Sequence, residues 1–182
     1  MQLGKIIDSD GHVLEPPELW RNNLETKFKS RAPYLARDEE GWESLVVDGR
    51  PSPISRGLGV ASAYGKPTEV AFSREFGYMD GPAGAYDPHA RIKLLDEDGI
   101  DAAVLYPTLG LLWEGEVNDP ELAIAICRVY NDWITDFCRS YPTRLYPVAH
   151  ISLMDVDRAV AELQRTAKMG IKGVMLTPWP AN

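Results

Sequence analysis

The chain has 182 residues, 45% of them hydrophobic, and carries 27 acidic against 19 basic side chains for a formal net charge of −8. That content supports one substantial core, and an acidic balance without a Lys/Arg cluster argues against an extended nucleic acid as ligand. No run approaches the roughly 18 apolar residues of a membrane span, and the first residues lack the basic region and apolar core of a signal peptide, so no membrane partner and a cytoplasmic location are expected.

In chain order, "GKIIDSD" (4–10) reads as a buried first strand that runs out into a polar group, Asp8, Asp10, His12 and Glu15, before Pro16-Pro17 turns the chain. Residues 21–86 read as an insertion of long loops rich in Gly, Pro, Ser and Arg. It holds one hairpin strand, "WESLVVDGR", ending in an Asp-Gly turn signal. From residue 87 onward helices and strands alternate. Asp87-Pro88 caps a helix whose stripe is Ile92, Leu95 and Ile100, and "DAAVLYP" (101–107) is a short buried strand. Asp119-Pro120 opens a longer helix with Leu122, Ile126, Val129, Tyr130, Trp133 and Phe137 at helical spacing, ending near Tyr141-Pro142. "LYPVAHISL" (145–153) is the next strand. Asp155 caps a helix with the stripe Val156, Val160, Leu163 and Ala167, which Gly170 ends, and "GIKGVMLTP" (170–178) is the last strand.

Apolar strands separated by amphipathic helices indicate a parallel α/β sheet with right-handed crossovers. Ligands of such sheets collect at the carboxyl ends of the strands. That rule gathers Asp8, Asp10 and His12 after strand one, Tyr106 and Thr108 after strand two, His150 and Ser152 late in strand three, and Thr177 and Trp179 after strand four into one mouth.

An acid and a histidine two apart on an extended chain point to the same side, so Asp10 and His12 can reach one divalent ion. Asp8 and Glu15 would support them from behind. A plain reading of the same residues is a capped turn, with Asp8 and Asp10 accepting backbone N–H groups. "IIDSDG" also fits the hydrophobic-DxDG pattern of haloacid-dehalogenase-like phosphatases, with Asp8 as nucleophile and Asp10 as general acid. That chemistry needs a later lysine and an acidic pair, and the later strand ends offer Tyr-Pro-Thr, His-x-Ser and Thr-Pro-Trp instead. His150 is a candidate catalytic residue, although a lone histidine in an apolar strand is more often a hydrogen-bonded core residue. Tyr106, Thr108, Trp113 and Trp179 are candidates to shape a pocket, and His89 reads as solvated. Cys127 and Cys138, about three helical turns apart, are expected to be reduced core residues.

The stretches "IIDSDGHVLEPPELW", "AYDPHARIKLLDEDGIDAAVLYPT" and "YNDWITDFCRSYPTRLYPVAHISLMDVDRAVAELQRTAKMGIKGVML" resemble, in order and spacing, the N-terminal half of the amidohydrolase-related metal-dependent enzymes similar to aminocarboxymuconate-semialdehyde decarboxylase. The resemblance implies a (β/α)8 TIM-type barrel, of which this chain holds the first four βα units with an insertion after strand one. It implies one divalent metal (Zn, Mn or Fe), with Asp10 and His12 as its first-strand ligands, and hydrolysis or non-oxidative decarboxylation of a small carboxylated substrate. It also implies further ligands on the fifth, sixth and eighth strands, so the chain is expected to be a fragment of a longer enzyme with weak or no activity alone. The alternative is a non-catalytic half-barrel interaction protein. Strands one and four would present unpaired apolar edges, and a homo-oligomer or other association through those edges is expected.

Overall fold

A computed structural model describes residues 4–177, so Trp179 lies outside the described residues. The chain runs β1 (Ile7–His12), α1 (Leu19–Asn23), a 3-10 turn (Thr26–Arg31), β2 (Tyr34–Arg37), β3 (Glu43–Val47), β4 (Arg50–Pro51), α2 (Thr68–Ala71), α3 (Pro88–Glu97), β5 (Ala102–Tyr106), α4 (Pro120–Arg139), β6 (Leu145–Ile151), α5 (Val156–Lys168) and β7 (Gly173–Leu176). Strands β1, β5, β6 and β7 form one parallel sheet in that order, with α3, α4 and α5 in the intervals. This is the parallel α/β sheet that the βα rhythm predicts, curled into the half-barrel of a TIM-type fold that the resemblance implies.

The caps lie where the sequence places them. Asp87 accepts from Ala90 N, Asp119 from Glu121 N and Leu122 N, and Asp155 from Arg158 N, with proline at the first helical position after the first two. Each cap satisfies N–H groups that a helix start leaves without partners.

Three expectations need correction. The first strand begins at Ile7, and Ile6 and Ile7 are exposed, because β1 is a sheet edge among the described residues. Residues 21–86 hold the expected hairpin and one strand more. Strands β2, β3 and β4 form a second, antiparallel sheet, turned through Asp48 and Gly49 at φ 50° and 75°, the left-handed pair of a two-residue hairpin. Trp20, Leu24, Phe28, Leu45, Val47, Leu58 and Tyr78 from this region join the same core as Leu105, Leu122, Ile126 and Ile134, so it packs as part of the domain. In α5, the stripe Val156, Val160 and Leu163 is exposed, and Ala159, Glu162 and Thr166 are buried instead. The inward face is polar because Glu162 meets partners there: it accepts from Asn131 Nδ2 (2.9 Å), Arg128 Nε (3.1 Å) and Arg165 Nε (2.8 Å).

Candidate functional site

The carboxyl end of β1 is shaped by an extra residue. Asp8 pairs with Ala103 and Gly11 with Leu105, so β1 spends three steps where β5 spends two. Asp8 Oδ1 closes this bulge by accepting from Asp10 N at 3.0 Å. Space is tight at Gly11, where a Cβ would stand 2.8 Å from Asp8 Oδ2 and 3.1 Å from the Val104 carbonyl oxygen and would push the Asp8 side chain out of the bulge. The bulge sets Asp10 Oδ1 3.9 Å from His12 Nε2, so the two side chains share one side of the strand.

His12 Nδ1 lies 2.8 Å from the Pro107 carbonyl oxygen. A carbonyl only accepts, so Nδ1 carries the proton and Nε2 keeps its lone pair, the tautomer that metal-ligating histidines use. The His12 carbonyl accepts from the buried guanidinium of Arg91, which also donates to the Gly84 carbonyl. Burial lowers the Arg91 pKa, and the nearby Asp8 carboxylate opposes that shift. Asp8, Asp10, His12, Ser62, Tyr64 and Arg91 border a cavity of about 470 Å³. A larger apolar cavity, about 760 Å³, lies at the opposite, amino end of the strands beside Cys138, Tyr146 and Met169, away from the acid–histidine pair.

Glu15 is fully buried and engaged by the loop after β5. Its carboxylate accepts from the backbone N–H groups of Thr108 (3.1 Å), Leu109 (3.0 Å) and Gly110 (3.0 Å) and from Tyr78 Oη (2.9 Å). Burial pushes its pKa up against the opposing pull of these donors, and the Tyr78 hydroxyl is pushed well above its usual value by burial and by Glu15. Glu15 therefore ties the chain after β1 to the loop after β5.

Among the other candidates, Tyr106 pairs in register with His12, their rings 6.0 Å apart. Trp113 is completely buried, its ring 5.1 Å from that of His150. His150 is buried, with Nε2 2.9 Å from Glu114 Oε2. His89 is exposed and bonds Tyr141 Oη, and both cysteines are free and buried, with thiol pKa values raised by burial, that of Cys138 to about 12. Arg91 and Glu114 were not singled out from the sequence. Their roles depend on contacts 79 and 36 residues away, which no local pattern carries.

The structure thus brings Asp10, His12 and Tyr106 together, sets Asp8 and Arg91 behind them, and places His150 apart, two strands across the sheet. An aspartate and a histidine with its Nε2 lone pair available suit a borderline divalent ion as two of its ligands. Among the described residues no group of three or more His, Cys, Asp or Glu is arranged to hold a metal.

The described fold is the first half of a TIM-type barrel with an acid-x-His pair at the carboxyl end of its first strand. Residues 7–180 match the amidohydrolase family, and the chain belongs to it. It is 33% identical over 87 residues to gamma-resorcylate decarboxylase of Rhizobium radiobacter, an alignment covering 47% of this chain and 26% of that protein. In fold it is similar to an amidohydrolase from Mycobacterium avium subsp. paratuberculosis K-10, with TM-score 0.76 and 24% identity over 97% of this chain and 50% of that one. It is also similar to 5-carboxyvanillate decarboxylase from Novosphingobium aromaticivorans, solved with manganese and 3-methoxy-4-hydroxy-5-nitrobenzoic acid, with TM-score 0.56 and 18% identity over 96% of this chain and 42% of that one. The chain spans half or less of the length of each of these proteins.

Proposed function

We propose that the chain supplies the first half of a metal-dependent amidohydrolase that hydrolyses or non-oxidatively decarboxylates a small carboxylated substrate. The observation that carries this reading is the Asp10–His12 pair, set by the β1 bulge with Nε2 of His12 free to ligate. The decarboxylase names among its relatives favour carboxyl-group removal, and the manganese in one neighbour favours a hard-to-borderline ion, Mn, Zn or Fe. Such an ion, when bound, polarises a substrate oxygen or lowers the pKa of a bound water.

The remaining work belongs to the chain's own residues. Pro107 holds the His12 ring in its ligating tautomer, and Arg91 pins the strand end through the His12 carbonyl. Glu15 fixes the loop that carries Thr108 beside the site. Family membership favours this reading over the phosphatase pattern at the same residues. So does the placement of Asp8, whose carboxylate is engaged in the bulge rather than presented as a nucleophile.

Isothermal titration of the chain with Mn²⁺ and Zn²⁺ tests the proposal. Asp10→Ala and His12→Ala are each expected to weaken binding at least about tenfold, the scale seen when a metal site loses support. Equal binding by wild type and both variants contradicts it.

A further inference from the structure

The carboxyl end of β6 carries a second polar cluster that the acid–histidine pair does not use. His150, Glu114, Trp113 and Ser152 are all buried there. Ala149 and Ile151 pack with Ala159 and Ile171 on the α5 side, so strand alternation turns the His150 side chain to the opposite face of the sheet. Both backbone groups of His150 are held by one side chain: its N–H donates to Asn131 Oδ1 at 2.8 Å, and its carbonyl accepts from Asn131 Nδ2 at 3.0 Å. Asn131 is anchored in turn by Glu162, which Arg128 and Arg165 neutralise. Glu114 grips the ring from the other side, 2.9 Å from Nε2.

This much support leaves four buried atoms without a hydrogen-bond partner among the described residues: His150 Nδ1, Glu114 Oε1, Ser152 Oγ and Trp113 Nε1. A fifth, Thr108 Oγ1, lies on the same loop as Trp113. Buried polar groups are nearly always paired, and each one left unpaired costs about 1–3 kcal/mol. The four atoms are also chemically complementary to one kind of group. Because Nε2–H donates to the Glu114 carboxylate, Nδ1 presents a lone pair and accepts. The indole N–H only donates, and the serine hydroxyl does either. Two acceptors, Nδ1 and Glu114 Oε1, beside the indole donor and a serine hydroxyl fit a hydroxyl or protonated carboxyl group whose O–H bonds Nδ1 while its oxygen accepts from Trp113, with the Ser152 hydroxyl bridging the ligand and Glu114 Oε1.

We propose that Trp113, Glu114, His150 and Ser152 form a proton-accepting subsite for a hydroxyl or carboxyl group of a small hydroxylated acid, a reading that rests on the substrate class proposed above. Proton transfer there leaves an oxyanion on the ligand and an imidazolium on His150, with the charge balanced by the Glu114 carboxylate. Continuing the register puts Val148 level with Tyr106 and hence with His12. His150 is then two strands, roughly 10 Å, across the sheet from His12 and two residues, roughly 7 Å, further along it. Glu114 engages Nε2 of His150, so His150 is not presented as a second ligand to an ion at His12. The Trp113 ring lies against His150, its centroid 5.1 Å from the imidazole. Glu114 is a positioning residue, acting through the His150 tautomer.

The chain has three histidines, so ¹⁵N-histidine labelling gives a spectrum that reads each separately. The probe is 2,6-dihydroxybenzoate, the γ-resorcylate of the relatives' name. In the free protein at pH 7, His150 is expected as the Nε2–H tautomer with an unprotonated Nδ1. The probe is expected to shift the His150 Nδ1 signal saturably, and Ser152→Ala, which removes one hydrogen bond, to weaken that binding about three- to tenfold without altering the fold. Proton on Nδ1 in the free protein, a His150 signal that ignores the probe, or unchanged affinity in Ser152→Ala overturns the proposal. The His12 signal reports on added Mn²⁺ independently, so failure of the metal reading and failure of the subsite are distinguished in one sample.

Discussion

At the residue scale, the most consequential side chain outside the ligand pair is Glu15. The sequence marks it as polar and close to the site, which leaves a supporting role and a turn role equally open. The structure shows a carboxylate saturated by donors from a loop 93 to 95 residues away. Glu15→Ala strands three backbone N–H groups and the Tyr78 hydroxyl in the core, and is expected to lower stability by about 3 kcal/mol or more, read by urea unfolding. Tyr78→Phe removes one bond only and is expected to cost about 1 kcal/mol. Equal effects of the two substitutions would contradict the loop-anchoring role. Asp10 and His12 were legible because spacing alone puts them on one side of a strand. Trp113 and His150 were legible as types but not as partners, since their meeting depends on how the loop after β5 folds back over β6.

At the element scale, the α/β rhythm after residue 87 is legible because each helix announces itself with an aspartate cap and a regular apolar stripe. The exception is α5. Its apolar stripe, Val156, Val160 and Leu163, predicts the buried face, yet Glu162 occupies it. A pattern of hydrophobicity cannot register that Arg128 and Arg165 neutralise this carboxylate.

The inserted region is fastened to the barrel half by Arg31. Its guanidinium makes a two-point contact with Asp48 (2.6 and 2.9 Å) in the β3–β4 turn and reaches Asp119 (2.6 Å) at the cap of α4. Arg31 holds both carboxyls below their usual value of 3.8. A depressed folded-state pKa contributes stability that is present above the unfolded value and lost as pH falls through the folded one. This contribution is therefore present at neutral pH and disappears in acid, below about pH 4. Arg31→Ala is expected to cost about 1–2 kcal/mol at pH 7, less in high salt because the groups are partly exposed, and to flatten the acid limb of the stability curve. An acid limb identical to wild type would show that the clamp contributes nothing.

At the scale of the whole molecule, apolar side chains remain exposed on both edges of the parallel sheet and on its outer helix: Ile6 and Ile7 beside β1, Val174 and Leu176 on β7, and Val156, Val160 and Leu163 on α5. Among the described residues no helix is long and apolar enough to cross a membrane. We propose that these edges associate, with a further part of a barrel or with another copy of the chain. Light scattering after gel filtration is expected to give a mass above the monomer that rises with concentration, and Val160→Glu combined with Leu163→Glu to reduce it. A monodisperse monomer at all concentrations contradicts this.

The bulged end of β1, with Asp10 and His12 on one side, is proposed to be a metal-binding strand end. Titrating Mn²⁺ into ¹⁵N-histidine-labelled protein tests it most directly, because the paramagnetic ion broadens the nearest imidazole first. The His12 signal is expected to vanish at concentrations that leave His89 and His150 sharp, and this selectivity to be lost in Asp10→Ala. Uniform broadening of all three histidines, or selective broadening of one other than His12, would contradict it.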